Sequence, residues 1–267
     1  MSGDFYKGLS NEPSVQAILK ELKKESATVC FNVQQQLMNS DFSPLASEMA
    51  FGKGKTLKPV EITFDTNTIK LRGKIDRVDV CGNMFFVVDY KSGSETSAKF
   101  SESSLYYGEK LQLLVYLMAV KGGLSAYNQA VGFYYARLHD EFSQKAQPFE
   151  FQGKTLADND VIKKIDKTYQ EKSKLLSINK NKDGSFHAKA RVVTAEELDN
   201  MLKYATHFIA LCGKQMKDGY VSASPMGRCC EYCDYKSICD FGDLFVEGKR
   251  EKDKDVTLKT FGEVKYD

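Results

Sequence analysis

The run Gly73-Lys74-Ile75-Asp76-Arg77-Val78-Asp79-Val80-Cys81-Gly82-Asn83-Met84-Phe85-Phe86-Val87-Val88-Asp89-Tyr90-Lys91 decides the reading of this chain. Two short apolar stretches flank Gly82-Asn83. That pair suits a two-residue hairpin loop, because Gly at the first loop position supplies the positive φ of a type II′ turn. Counting outward from the loop sets Cys81 opposite Met84, Val78 opposite Val87, and Asp76 opposite Asp89. Side chains alternate along a strand, so Asp76, Asp89 and Lys91 fall on one face with the apolar Val78, Val80, Phe85 and Val87. The apolar members are expected to point into the core. Two acids and a lysine then sit at the rim of a buried surface, an arrangement that reads as a divalent-metal site.

The residue types explain why. Two adjacent carboxylates repel each other, so one takes up a proton unless a cation sits between them. Mg²⁺ resolves that conflict, since it is held by one or two carboxylates with waters and phosphate oxygens completing its shell. Water bound to such a metal loses its proton more easily, and the metal neutralises charge that builds up on phosphorus oxygens. Lys91, two residues beyond Asp89, shares their face, where it can orient an attacking water or steady negative charge. Asp-x-Lys alone is a common chance pattern, and a surface hairpin with solvated charges is the plain alternative. The preceding Gly-x-x-Asp-Arg-x-Asp and the matched register raise this one above it.

Gly73-x-x-Asp76-Arg77-x-Asp79 followed by Asp89-Tyr90-Lys91-Ser92-Gly93 resembles the metal-binding core of the PD-(D/E)XK nucleases, in particular their RecB-like branch. Gln112 and Tyr116 match that branch's Gln-x-x-x-Tyr motif; four apart on a helix, they lie one above the other. The resemblance implies that this helix face looks into the active site and positions Lys91 or the DNA backbone. Core packing is the plain alternative for Tyr116. It also implies Mg²⁺ or Mn²⁺ held by Asp76, Asp89 and the backbone carbonyl of Tyr90. Lys91, Gln112 and Tyr116 would complete the catalytic set, with DNA as the substrate.

Cys230-x-x-Cys233-x-x-x-x-x-Cys239 packs three cysteines into ten residues. The context reads as cytosolic, where clustered thiols point to metal or cluster binding before disulfides. Iron–sulfur clusters and many zinc sites take four thiolates. Three close cysteines with a fourth from elsewhere resembles the iron–sulfur staple of the AddB family of helicase–nuclease subunits, and of Cas4-like nucleases. The resemblance implies a 4Fe-4S cluster if a fourth cysteine is available. It also implies an AddA-like helicase–nuclease partner and work in double-strand-break repair.

Two departures stand out. That family places a cysteine, and then a metal-binding histidine, well upstream of the Asp76 equivalent. Here His139, His187 and His207 all lie downstream of it. The chain is therefore expected to be the C-terminal piece of a longer protein. Cys30 is the best internal candidate for the fourth thiolate, against its reading as a buried cysteine in the apolar-periodic segment Ala27–Leu37. Cys229 and Cys212 rank behind it, and Cys81 at the hairpin tip reads as a bystander. Glu48, in Ser47-Glu48-Met49-Ala50-Phe51-Gly52, matches a family position before the sheet, as an extra acid or a structural residue.

The remaining features bound the answer. A chain of 267 residues is long enough for one sizeable domain with extensions. A formal charge of +2 does not by itself announce nucleic acid. The Lys-rich runs at 163–174, 180–182 and 249–254 read first as solvated surface. No apolar run approaches the roughly 18–20 residues that span a bilayer, so a cytoplasmic enzyme without a membrane partner is expected. Periodicity predicts helices over 12–25 and 27–39, strands within 58–72, a helix over 103–121 carrying Gln112 and Tyr116, and a strand over 131–138. It also predicts helix over 159–176 and 194–219, the latter opened by a Thr194/Glu197 capping box and closed by Gly219. The expected fold class is α/β: a PD-(D/E)XK core with a mixed central sheet flanked by helices, N-terminal helices and a C-terminal cysteine-rich staple. The expected segments are 1–47 N-terminal helical, 48–225 nuclease core, 226–242 cysteine cluster and 243–267 charged tail. Two other readings stay open: a stand-alone Cas4-like iron–sulfur nuclease, and a non-catalytic DNA-end-binding module knotted by zinc.

Overall fold

The computed structural model describes residues 12–93, 95–138, 150–220, 222–227, 229–239, 241, 250–252 and 255–265. His139, Lys249 and Lys254 lie outside them. The chain opens with helix α1 (Pro13–Met38), followed by strands β1 (Ser43–Phe51), β2 (Val60–Phe64), β3 (Asn67–Leu71), β4 (Gly73–Cys81) and β5 (Met84–Lys91). Short helices α2 (Glu95–Ala98) and α3 (Glu102–Tyr106) and the longer α4 (Gln112–Gly123) lead to β6 (Gln129–Arg137) and β7 (Phe151–Leu156). Next come α5 (Asn159–Ile165), the short strands β8 (Lys172–Ser173), β9 (Ile178–Asn179) and β10 (Val192–Val193), and helix α6 (Ala195–Lys217). A 3₁₀ turn at Cys229–Tyr232 and helix α7 (Leu258–Glu263) complete the described elements.

Six strands form one sheet in the order β1-β4-β5-β6-β7-β10. β4 and β5 are antiparallel, β5 and β6 parallel, and β6 and β7 antiparallel. The expected mixed sheet is therefore present. A parallel neighbour requires a crossover, which the segment holding α2, α3 and α4 supplies. Every residue of β5 from Met84 to Asp89 is buried, as a central strand covered on both faces must be. The sequence reading assigned burial to one face only; Phe86 and Val88 on the other face are just as buried.

By internal contacts the chain forms two interleaved units. One comprises the residues up to Glu48, Asp76–Lys99 and Tyr127–Val192; the other comprises Met49–Ile75, Phe100–Ala126 and the residues from Val193 onward. The first unit is built on aromatic packing: the Phe42 and Phe86 rings lie 5.0 Å apart, Phe86 and Tyr134 5.4 Å, and Tyr134 stacks on Phe151 at 4.8 Å. In the second, the β2–β3 hairpin packs against α6, whose Gly213 lies against Phe64 and Ile69. There Tyr204 stacks on Tyr106 at 5.4 Å, meets Phe261 at 5.1 Å, and donates its hydroxyl to the Tyr106 carbonyl at 2.6 Å.

Three helix expectations need correction. The two helices over 12–25 and 27–39 are one, α1. No Gly or Pro interrupts residues 14–38, and Thr28 turns its hydroxyl back onto the Lys24 carbonyl at 3.1 Å, so the junction stays helical. The helix over 103–121 is instead α3 and α4 with a break between them. Gly108 there adopts φ +77°, and a Cβ at that position would collide with the Phe208 ring. The helix over 159–176 stops at Ile165. Buried Asp166 accepts from the Thr168 amide at 3.0 Å, the Thr168 hydroxyl at 2.5 Å and the Ser173 hydroxyl at 2.6 Å, which folds the chain into a turn. The capping box at Thr194/Glu197 and the positive φ at Gly219 (+70°) are as expected.

Candidate active site

Register carries the site. The pairs Cys81–Met84, Val80–Phe85, Asp79–Phe86, Val78–Val87 and Arg77–Val88 match the count from the sequence, and Gly82 has the positive φ (+60°) the turn requires. The paired residues end at Arg77–Val88; continued by one step, the same register would set Asp76 against Asp89. The Asp76 Oδ2 atom accepts from the Tyr90 amide N–H at 2.9 Å. Lys91 Nζ lies 2.6 Å from Asp89 Oδ2 and 5.1 Å from the centre of the Tyr135 ring. Tyr135 is the β6 partner of Asp89, so acid, amine and ring share one face of the sheet. Arg137, the β6 partner of Lys91, falls on that face too.

Burial separates the roles. The Asp89 side chain is 3% exposed and that of Lys91 25%, so a sealed carboxylate lies beneath a partly exposed amine. The ammonium compensates the buried charge, and the Tyr135 ring adds a cation–π contact. Asp76 is half-buried. Two carboxylates with hard oxygen donors suit Mg²⁺ or Mn²⁺ and not a soft-ligand metal. Among the described residues no three His, Cys, Asp or Glu side chains form a ready-made metal cluster. The hairpin offers a pair, which is the number Mg²⁺ takes when waters and substrate complete its shell.

The opposite face of the same hairpin holds a network that the sequence reading missed. Arg77 Nε donates to Asp79 Oδ1 at 2.6 Å and its Nη2 pairs with Asp79 Oδ2. Nη2 also donates to Gln36 Oε1 of α1 at 2.6 Å, and Nη1 donates to the Tyr90 hydroxyl at 3.1 Å. Gln36, Arg77 and Asp79 are each no more than 5% exposed. Burial pushes the Asp79 carboxyl above its ordinary range despite Arg77, while Asp79 and Tyr90 hold the guanidinium charged against the same burial. The available signal was the spacing itself. Arg77-x-Asp79 sets opposite charges two apart on a strand whose partner is a continuous apolar run, so both must be buried and must pair.

Other expected residues fall elsewhere. Gln112 is the first residue of α4 and is exposed; its Nε2 donates to the Tyr116 hydroxyl at 2.8 Å. Tyr116 is buried, with its ring 6.2 Å from that of Phe51. Both belong to the second unit, whereas Asp76, Asp89, Tyr90 and Lys91 belong to the first. Cys30 is exposed, not buried, because α1 also turns Ile18, Leu22 and Phe31 outward. Cys229, Cys233 and Cys239 are exposed and Cys230 half-buried, and they sit among exposed Tyr232, Tyr235 and Ile238. Among the described residues the three thiols of the spaced motif are not gathered into a metal-ligand set. Glu48 is exposed and adopts a left-handed backbone (φ +58°), unusual for a residue other than glycine. A groove of about 810 Å³ in the second unit, lined by Phe64, Met118, Leu202, His207, Leu211 and Lys214 among others, contains none of the acid–lysine set.

Comparison with known proteins agrees with the motifs. A sequence profile of the PD-(D/E)XK nuclease superfamily matches residues 5–240. The ATP-dependent helicase/deoxyribonuclease B-subunit of Alkaliphilus oremlandii (strain OhILAs) is 30% identical over 266 residues, covering 90% of this chain and 23% of that protein. The protein of the same name from Thermoanaerobacter sp. (strain X514) is 27% identical over 278 residues, covering 93% of this chain and 24% of its own length. That from Acetivibrio thermocellus is 30% identical over 267 residues, covering 90% and 23%. This chain thus spans 23–24% of the length of these curated relatives. With the profile running across most of its length and the hairpin in the counted register, the chain belongs to the PD-(D/E)XK nuclease superfamily.

Proposed function

We propose that this chain is a metal-dependent deoxyribonuclease domain that hydrolyses DNA phosphodiesters. The observation that carries the reading is the Asp76–Asp89–Lys91 face on the β4–β5 hairpin, with Asp89 buried beneath Lys91. Asp76, Asp89 and the Tyr90 carbonyl would hold Mg²⁺ or Mn²⁺. Bound there, the metal supplies a more acidic water and neutralises charge on the phosphate oxygens. Lys91, tethered between Asp89 and Tyr135, points its ammonium where it can orient the attacking water or meet the negative charge that develops. Asp76 is kept in place by the Tyr90 amide. Gln112 and Tyr116 would act together, through their mutual hydrogen bond, in positioning the DNA backbone.

Carried over from the relatives' name, the longer context is a subunit of a helicase/deoxyribonuclease; the motif resemblance adds an AddA-like partner and cytoplasmic work on DNA ends. In that context the cysteine-rich segment would be a 4Fe-4S or zinc staple once a fourth thiolate joins it. Exposed Cys30 is open to that role, and iron and sulfide content of Cys30→Ser against the parent chain tests it. The catalytic reading is tested by cleavage of linear DNA with Mg²⁺ or Mn²⁺. Cleavage should vanish in Asp89→Ala; retention at the parent rate would reject the site.

A further inference from the structure

We propose that Arg77 is a positioning residue that reaches across the sheet through Tyr90, so that the Gln36–Arg77–Asp79 network on the back face fixes the front face's affinity for its metal. The inference rests on the metal-site reading above. One residue links the two faces. The Tyr90 amide N–H holds Asp76 Oδ2 at 2.9 Å, while the Tyr90 hydroxyl accepts from Arg77 Nη1 at 3.1 Å. Strand alternation sends that ring to the face opposite Asp89 and Lys91. A pull on the ring therefore acts on the peptide that orients one proposed ligand and lies between Asp89 and Lys91.

The anchor for that pull is rigid. A guanidinium is a planar fork, and this one is committed in three directions: bidentate to Asp79, to Gln36 Oε1, and to Tyr90. Gln36 is the sole buried residue of α1, so the network also tells the hairpin where that helix lies. Its Nε2 is buried without a hydrogen-bond partner among the described residues. Such an orphan is costly, and it is tolerated here because the same side chain's oxygen satisfies Arg77. Groups that orient metal ligands from behind typically change affinity by about 10–100-fold when removed.

The test is Mn²⁺ titrated into the DNA-free chain and followed by calorimetry, alongside thermal unfolding. Tyr90→Phe deletes only the hydroxyl. It should weaken Mn²⁺ binding about tenfold while lowering the unfolding temperature by no more than the loss of one part-buried hydrogen bond, and saturating Mn²⁺ should restore cleavage. Arg77→Lys keeps the charge but loses the fork and should weaken binding in the same direction. If Tyr90→Phe does not fold, Gln36→Leu carries the comparison, removing the acceptor at the far end. An unchanged Mn²⁺ affinity, or a lowered unfolding temperature at unchanged affinity, overturns the positioning role. Asp89→Ala separates the two ideas. If it abolishes Mn²⁺ binding while Tyr90→Phe leaves it intact, only this inference falls. If Asp89→Ala binds as the parent does, the metal reading falls with it.

Discussion

The two faces of the β4–β5 hairpin carry the same elements, a carboxylate and a cation two residues apart on one strand, and use them in opposite ways. On the back, Arg77 and Asp79 are sealed at 5% and 0% side-chain exposure, and each carboxylate oxygen meets a guanidinium N–H. On the front, Asp89 is equally sealed, but its partner Lys91 is a quarter open and its neighbour Asp76 is half-buried. A closed pair has nothing left to offer a substrate. An open pair with a second acid nearby has coordination to spare. Arginine suits the first role because its fork satisfies two oxygens at once, and lysine the second because its single ammonium can turn to another partner.

The largest effect that tests this contrast is on the front. Asp89→Asn should reduce Mg²⁺-supported cleavage by more than about 100-fold, since on the proposed reading it removes a ligand rather than a ligand's support. Unfolding stability should not fall with it, because the variant no longer buries a charge. A loss of stability matching the loss of activity would make Asp89 a structural residue like Asp79. On the back, Arg77→Ala should do the reverse in kind: a loss of about 3–5 kcal/mol by urea denaturation, from the Asp79 charge left buried and unpaired.

How much of this could be read from residues depends on which face is asked about. The front needed only alternation and a Gly-Asn loop, both local, and the counted register held from Cys81–Met84 to Arg77–Val88. The back stays hidden as long as the strand is read as half-buried. Met84-Phe85-Phe86-Val87-Val88 is a continuous apolar run, the pattern of a strand covered on both sides, and that alone requires Arg77 and Asp79 to pair. Gln36 had no local signal; a glutamine in a Gln-rich helix turn gives no hint that it reaches a residue 41 positions away. The break before Gln112 was equally hidden, since the need for glycine at 108 comes from Phe208, far along the chain. Local periodicity finds elements, whereas their ends are set by distant side chains.

The double variant Arg77→Met/Asp79→Leu sharpens the comparison further. Replacing both charges by apolar groups of similar size should recover most of the stability lost in Arg77→Ala, leaving a deficit on the order of 1 kcal/mol by denaturation. Any difference that persists between the double variant and the parent chain in Mn²⁺ affinity then measures what the network does for Tyr90, with folding held nearly constant.

The smallest effect is a titration. Tyr134, the β6 partner of Val88, lies on the back face, and its hydroxyl bonds Thr155 Oγ1 at 2.8 Å. Burial raises its phenol well above the ordinary 10.0, and the Thr155 bond only partly offsets that. A group with a raised folded pKa contributes stability that is complete below its unfolded value and is lost as pH climbs through the folded one. Tyr134→Phe removes the titration and leaves the buried Thr155 hydroxyl short of a partner, so near neutral pH it should be less stable by about 1–2 kcal/mol. Above pH 10.0 that gap should narrow, because only the parent chain is then losing ground. Denaturation curves at neutral and strongly alkaline pH measure it. A gap that stays constant across that range would mean the phenol titrates as if exposed, and the back face would not be the sealed surface that the comparison with the front requires.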